Sequence, residues 1–202
     1  HHEDGSPMSD VEIHDELLTL LVAGHETTAT QLAWTLERLT REPEVLEKLV
    51  AAVDEGDGEP YLTATIREIL RHRPVLLNAA PRTVKKPIEV GGIEYVPRVH
   101  LLASAWLVHH DPDIYPEPYA FRPERFLDTD PGTYTWIPFG GGRRRCIGAS
   151  FAQMEMAIVL RELLRTAGIK AGIDGPEVTI RRAITVTPGS GAETVLADRV
   201  AA

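Results

Sequence analysis

Proline placement constrains this chain more than any other single feature. Ten of its 15 prolines fall between Pro74 and Pro138, and a proline inside a helix removes a hydrogen bond and clashes with the preceding turn. Long helices are therefore confined to the segments before and after that stretch. The middle must be built from short strands and turns. With 202 residues in all, the chain can bury one good-sized core or two small ones.

Ahead of the proline-rich stretch, Ser9-Asp10-Val11-Glu12 reads as a capping box, in which hydroxyl and carboxylate satisfy each other's free backbone donors. The apolar, Thr-rich segment after it predicts a helix to Arg41, where Glu42-Pro43 ends it, a length of roughly 50 Å. Its apolar residues surround the axis near Leu17–Val22, which predicts burial on all sides. Gly24 follows as a point where the helix can deform. A second helix is expected over Glu44–Val53, then an acidic, flexible linker at 54–59, then a third helix from Tyr61 to His72 stopped near Pro74.

Inside the proline-rich stretch, strand signals occur at Ile88–Val90, Ile93–Val96 and Val99–Ala103, with Gly91-Gly92 as a hairpin turn. Residues 111–138 read as an ordered meander, since their aromatic side chains suit packing. Gly148 opens a final helix to Thr166, and residues 169–196 alternate well enough for two or three strands. The expected fold class is mainly α with small β-sheets.

Composition excludes several classes of function. The net charge is −9 and no basic run extends beyond Arg143-Arg144-Arg145, which argues against a nucleic-acid partner. A single cysteine excludes an internal disulfide framework and suits a reducing cytoplasm, the expected location. The strongest apolar stretch, Leu17–Gly24, falls short of the about 20 residues that span a bilayer, and no secretory signal is visible. His1-His2 are left out of site reasoning, as a tag remnant would be.

The chemistry concentrates around Phe139-Gly140-Gly141-Gly142-Arg143-Arg144-Arg145-Cys146-Ile147-Gly148. Cationic neighbours and a helix amino terminus both stabilise a thiolate, and glycines let backbone amides approach a flat ligand. Two plainer readings stand beside this. A lone cysteine is commonly a small buried hydrophobe. A glycine loop before a helix can hold phosphate, although the lysine and Ser/Thr of a P-loop are missing.

The same stretch resembles the cytochrome P-450 signature F-x-x-G-x-R-x-C-x-G at every fixed position, namely Phe139, Gly142, Arg144, Cys146 and Gly148. The resemblance implies that Cys146 is the proximal iron ligand and that Arg144 pairs with a haem propionate. It also implies that Phe139 packs near the sulfur, while backbone amides after Cys146 hydrogen-bond to it. Haem b is the implied cofactor, in the family that holds haem iron by thiolate.

Three further segments match in the family's order. Glu68-Ile69-Leu70-Arg71 is an E-x-x-R motif with both charges on one helix face. At this spacing such pairs are often exposed and worth only about 0.2–0.5 kcal/mol, and Thr65 with Glu68 also fits a capping box. The resemblance implies a buried structural triad of Glu68, Arg71 and Arg125, the last from Phe121-Arg122-Pro123-Glu124-Arg125-Phe126. Ala23-Gly24-His25-Glu26-Thr27-Thr28 matches the acid-alcohol segment of the long helix. There Glu26 and Thr27 are implied as a proton relay serving dioxygen activation, whereas Thr27 and Thr28 bonding back to carbonyls one turn earlier is the structural alternative. His25 occupies a variable position. Pro81-Arg82 resembles the place where a second arginine reaches a propionate, and Ala79 and Ala80 lie near a substrate-facing loop. His109-His110 is assigned no role.

Taken together, the resemblance covers essentially the whole chain and implies the carboxy-terminal part of a P-450 fold. Its parts are a long central helix at 9–41, the E-x-x-R helix at 61–73, a meander at 121–138 and the haem-ligand loop at 139–148. A proximal helix at 149–166 and terminal strands at 169–196 complete it, the amino-terminal half being absent. The implied activity is a monooxygenase inserting one oxygen atom from dioxygen into an apolar small molecule. Its electrons would derive ultimately from NAD(P)H through a ferredoxin-type or flavoprotein donor, for which Arg143 and Arg145 offer positive charge. The alternatives are a truncated or degenerate haem-binding fragment, a peroxide-using or rearranging enzyme of the same fold, and a haem-free interaction domain.

Overall fold

The computed structural model describes residues 4–56 and 59–199. His1 and His2, and Asp57 and Gly58 of the acidic linker, lie outside the described residues. Helix α1 spans Asp10–Arg41 and is opened by the Ser9 capping box, with Ser9 Oγ accepting the Glu12 amide and Glu12 accepting the Ser9 amide at 2.8 Å. Helix α2, Pro43–Glu55, starts with proline in its first turn and ends on Gly56 at φ 84°, a left-handed position that glycine adopts without strain. Helix α3 runs over Glu59–His72.

Short paired strands follow. β1 (Arg82–Thr83) pairs antiparallel with β4 (His100–Leu101), and between them β2 (Ile88–Val90) and β3 (Ile93–Tyr95) form a hairpin. The hairpin turns on Gly91 and Gly92, both with positive φ, as a two-residue turn that follows strand twist requires. Helix α4 is the short Ala105–His109. The meander after it contains one 3-10 turn, Pro123–Phe126, seated against α3. A second 3-10 turn at Gly142–Arg144 leads into helix α5, Ala149–Thr166, with Gly148 at its amino-terminal cap.

The tail makes four strands where alternation alone suggested two or three. β5 (Gly168–Ala171) pairs with β8 (Thr194–Ala197), and β6 (Thr179–Arg182) pairs with β7 (Thr185–Pro188) inside that loop. Each ladder joins residues whose pairing depends on the turn between them, which alternation does not encode.

One core holds these pieces together. Trp34 and Leu39 of α1, Leu49 of α2, Leu62 and Ile69 of α3, and Met156, Leu160 and Leu164 of α5 are all essentially inaccessible to solvent. Their spacing puts an apolar stripe of each helix toward the others. Trp34 also donates its indole N–H to Val186 O at 3.0 Å, tying α1 to β7.

Two expectations for α1 are overturned. The Leu17–Val22 stretch is not buried: Leu17 is 62%, Leu21 65% and Val22 67% exposed, and the buried residues of α1 begin at Thr28. An all-round apolar pattern states a demand for cover, but no described element packs over this end of the helix. Nor does α1 deform at Gly24, since the helix is continuous from Asp10 to Arg41. Gly24 has no neighbour within 4 Å of where a Cβ would stand, so nothing displaces it from helical geometry. Among the described residues, no helix is long and apolar enough to cross a membrane.

Candidate functional site

The cysteine loop is anchored at its base and open at its tip. Phe139 is half-buried against the core, its ring 5.9 Å from that of Trp136 in an edge-on contact. Trp136 donates its indole N–H to Arg67 O at 3.1 Å, which fixes this pair on α3. Across the base, Cys146 donates its amide to Phe139 O at 2.9 Å, so the intervening residues form a closed loop. Gly140 and Gly142 take positive φ values of 69° and 64°, which a residue with a Cβ adopts only at a cost.

Cys146 is exposed, not a buried hydrophobe. Arg143, Arg144 and Arg145 beside it are also exposed, and among the described residues none has a carboxylate partner. No backbone amide closes a hydrogen bond onto Cys146 Sγ among the described residues, so that implied contact is not formed here. Gly148 stands close by, its notional Cβ 3.9 Å from Sγ, and caps α5.

Beneath the loop lies a charged cluster closed off from water. Glu68 and Arg71 on α3 are both fully buried and doubly bonded, Nε to Oε2 at 2.7 Å and Nη2 to Oε1 at 2.8 Å. Arg71 further donates to the carbonyls of His109 at 2.6 Å, Pro118 at 2.9 Å and Ala120 at 3.3 Å. All five guanidinium N–H groups are thereby used. Glu68 Oε1 also accepts the Arg122 amide at 2.8 Å. Arg125 joins at ion-pair distance, Nε to Oε1 3.4 Å, and donates from Nη2 to Glu117 O at 2.7 Å. A charge pair isolated from water persists only when its remaining lone pairs and protons are satisfied. Here α3 and the meander supply those partners. Thr65 is not a cap; it lies within α3 and donates to Tyr61 O at 2.8 Å.

His109 completes this support, and no sequence signal beyond its position before Asp111-Pro112 pointed to it. It is fully buried, with Nδ1 3.1 Å from Arg71 O and Nε2 accepting the Ile137 amide at 2.9 Å. Burial, and then the nearby Arg71 charge, push its pKa down to about 3. His72 is likewise lowered to about 3, chiefly by burial.

The remaining candidates sit on exposed ground. Glu26 is exposed on α1 and lies 3.5 Å from the Arg182 guanidinium on β6. Thr27 is half-buried and bonds back along the helix, donating to Ala23 O at 2.8 Å. Arg82 on β1 is exposed and, among the described residues, its side chain donates to the carbonyls of Ala80 at 3.2 Å and Pro81 at 3.4 Å. The Ala79–Arg82 segment adjoins the cysteine loop, because a Cβ on Gly140 would stand 3.9 Å from Ala79 Cβ. His25 is exposed.

Comparison with known proteins gives these positions a frame. The family model described as Cytochrome P450 matches residues 1–188. The chain belongs to the cytochrome P450 family. Among curated P450 relatives, one named as cytochrome P450 138 of Mycobacterium tuberculosis is 44% identical over 199 residues, 98% of this chain and 45% of that protein. Another, named as cytochrome P450 137 of the same species, is 43% identical over 94% of this chain and 39% of its own length. This chain therefore spans less than half the length of the P450 relatives it matches. A solved cytochrome P450, CYP102L1, superposes with a TM-score of 0.85 at 27% identity, covering 97% of this chain and 47% of that one. The retinoic acid-bound cyanobacterial CYP120A1 structure gives 0.88 at 24% identity, covering 98% and 48%, and speaks for the P450 fold alone.

Proposed function

We propose that this chain carries the haem-ligating part of a P450 monooxygenase, in which the Cys146 thiolate would hold the iron of haem b. The observation that carries the reading is the exposed thiol of Cys146 on a loop whose base is tied to the buried, doubly hydrogen-bonded Glu68–Arg71 pair. Such an arrangement presents a ligand on rigid support, as a metal-binding position needs.

The residues present fit the cofactor. A haem brings one iron that takes a soft sulfur ligand and two propionates that take cations. Cys146 supplies the sulfur, while Arg144 and Arg82 are guanidiniums without carboxylate partners among the described residues, free for bidentate pairing. When bound, haem supplies the oxidising chemistry that inserts one atom of dioxygen into a substrate and reduces the other to water.

The chain's own residues do the rest. Cys146 would hold the iron through its thiolate sulfur. Arg144 and Arg82 would pair with the two propionates. Glu26 presents a carboxylate at the solvent side of α1, and Thr27 presents a hydroxyl one residue further along. Together they can pass protons inward once the hydroxyl exchanges its Ala23 bond for a new acceptor. The apolar side chains of α1 favour an apolar substrate. The two electrons come from a ferredoxin-type or flavoprotein donor, ultimately from NAD(P)H.

A second reading is favoured by one observation. The exposed Leu17, Leu18, Leu20, Leu21 and Val22 form an uncovered apolar face; on this reading the chain holds the ligand residues without retaining haem unaided. The test is to express the chain with haem, reduce it, and record a carbon monoxide difference spectrum beside a Cys146→Ala control. A thiolate-type Soret band that the control lacks supports the first reading. Haem uptake only by a longer chain that covers α1 supports the second. A band that survives in Cys146→Ala removes both.

A further inference from the structure

Among the described residues three histidines are buried, and only His109 has both ring nitrogens engaged. His72 leaves Nδ1 without a partner and His110 leaves Nε2 without one. The chemistry of its partners assigns the His109 tautomer. Arg71 O is an acceptor, so Nδ1 carries the proton, and Nε2 is left with a bare lone pair that accepts the Ile137 N–H at 2.9 Å.

These two bonds join the charge cluster to the cysteine loop. On one side the contact with α3 is reciprocal: Arg71 donates to His109 O at 2.6 Å, and His109 donates to Arg71 O across 3.1 Å. On the other side, Ile137 stands two residues ahead of Phe139. Pro138 between them has no amide hydrogen, so the Ile137 N–H is the donor by which the chain just before Phe139 can be tied. The connection continues through backbone bonds, Gly140 N–H to Ile137 O at 3.0 Å and Cys146 N–H to Phe139 O at 2.9 Å.

We infer that His109 is a positioning residue for the cysteine ligand, its Nε2 lone pair on the Ile137 amide setting where the 139–148 loop leaves the core. The inference rests on the reading of Cys146 as the iron ligand. It differs from a space-filling role in depending on one acceptor atom at one place, which side chains of graded length can separate. In His109→Asn the amide nitrogen can stand where Nδ1 stood and keep the donor toward Arg71 O, but nothing reaches the Ile137 amide. In His109→Gln the longer side chain can bring an oxygen to the Nε2 position.

The test is residue-resolved amide hydrogen exchange on the full chain without haem. In His109→Asn, exchange at Ile137 and Gly140 should rise about tenfold, the order expected for losing one buried hydrogen bond, while amides of β5 and β8 keep their rates. In His109→Gln those two amides should return close to the wild-type rate. Equal acceleration in both variants, or none in His109→Asn, overturns the proposal. Should either variant fail to fold, nitrogen-15 shifts of the His109 ring in the wild-type chain decide instead: a proton on Nδ1 at neutral pH is expected, and a proton on Nε2 overturns it. None of these readouts involves iron, so failure of the Cys146 reading appears separately, in the carbon monoxide spectrum of Cys146→Ala.

Discussion

Arg71→Lys is the substitution that most directly tests how the cysteine loop is supported. The wild-type guanidinium places five donors in one plane against five acceptor contacts, two on Glu68 and one each on His109, Pro118 and Ala120. An ammonium keeps the charge but offers three donors around a point, so at least two of the five contacts are lost whatever rotamer it takes. All of this happens with zero exposure of either partner, leaving buried oxygens without compensation by water. Weakening a buried pair in this way costs about 3–5 kcal/mol, a large part of the roughly 5–15 kcal/mol that holds a typical domain. For a chain of this size that corresponds to a melting temperature lower by about 6–20 °C. The assay is thermal unfolding followed by circular dichroism, with the denaturant midpoint as a second measure. A variant that melts within a degree or two of wild type would refute the claim that the guanidinium geometry, rather than its charge, holds the meander.

Three other outcomes are expected. His72 and His109 have pKa values lowered to about 3 from 6.5, so the unfolded chain binds more protons between those values. Stability is then complete above about pH 6.5 and falls as pH drops toward 3, by up to about 1.4 kcal/mol per pH unit for each group; urea midpoints that stay level from pH 7.5 to 5 contradict this. Trp34→Phe keeps most of the buried area but removes the bond to Val186 O, and should cost about 1–2 kcal/mol in denaturant unfolding; an unchanged midpoint would show that the indole N–H contributes nothing. Reversing Arg143 and Arg145 to glutamate should slow reduction by an acidic electron donor and weaken its dependence on salt, and stopped-flow rates equal to wild type would dismiss these arginines as a docking charge.

What the amino-acid sequence determined by itself is local. Ser9 and Glu12 start a helix because the donors they satisfy lie within three residues. Gly91-Gly92 turns a hairpin because both positions need positive φ, and Gly148 can be recognised as a helix start by its immediate neighbours. The family signature around Cys146 is equally legible, since its fixed residues sit within ten positions of one another. The E-x-x-R spacing puts Glu68 and Arg71 on one face, but burial is not a property of spacing.

Only the tertiary structure decided the rest, because it depends on groups far apart in the chain. The acceptors that exhaust Arg71 come from carbonyls 38 to 49 residues away, and the bond that gives His109 its place reaches 28 residues to Ile137. No local pattern marks a backbone carbonyl as the partner of a distant side chain. The apolar run at Leu17–Val22 shows the same limit from the other side. A sequence can state that a surface needs cover, but whether cover exists is settled only by which surfaces the folded chain brings against it.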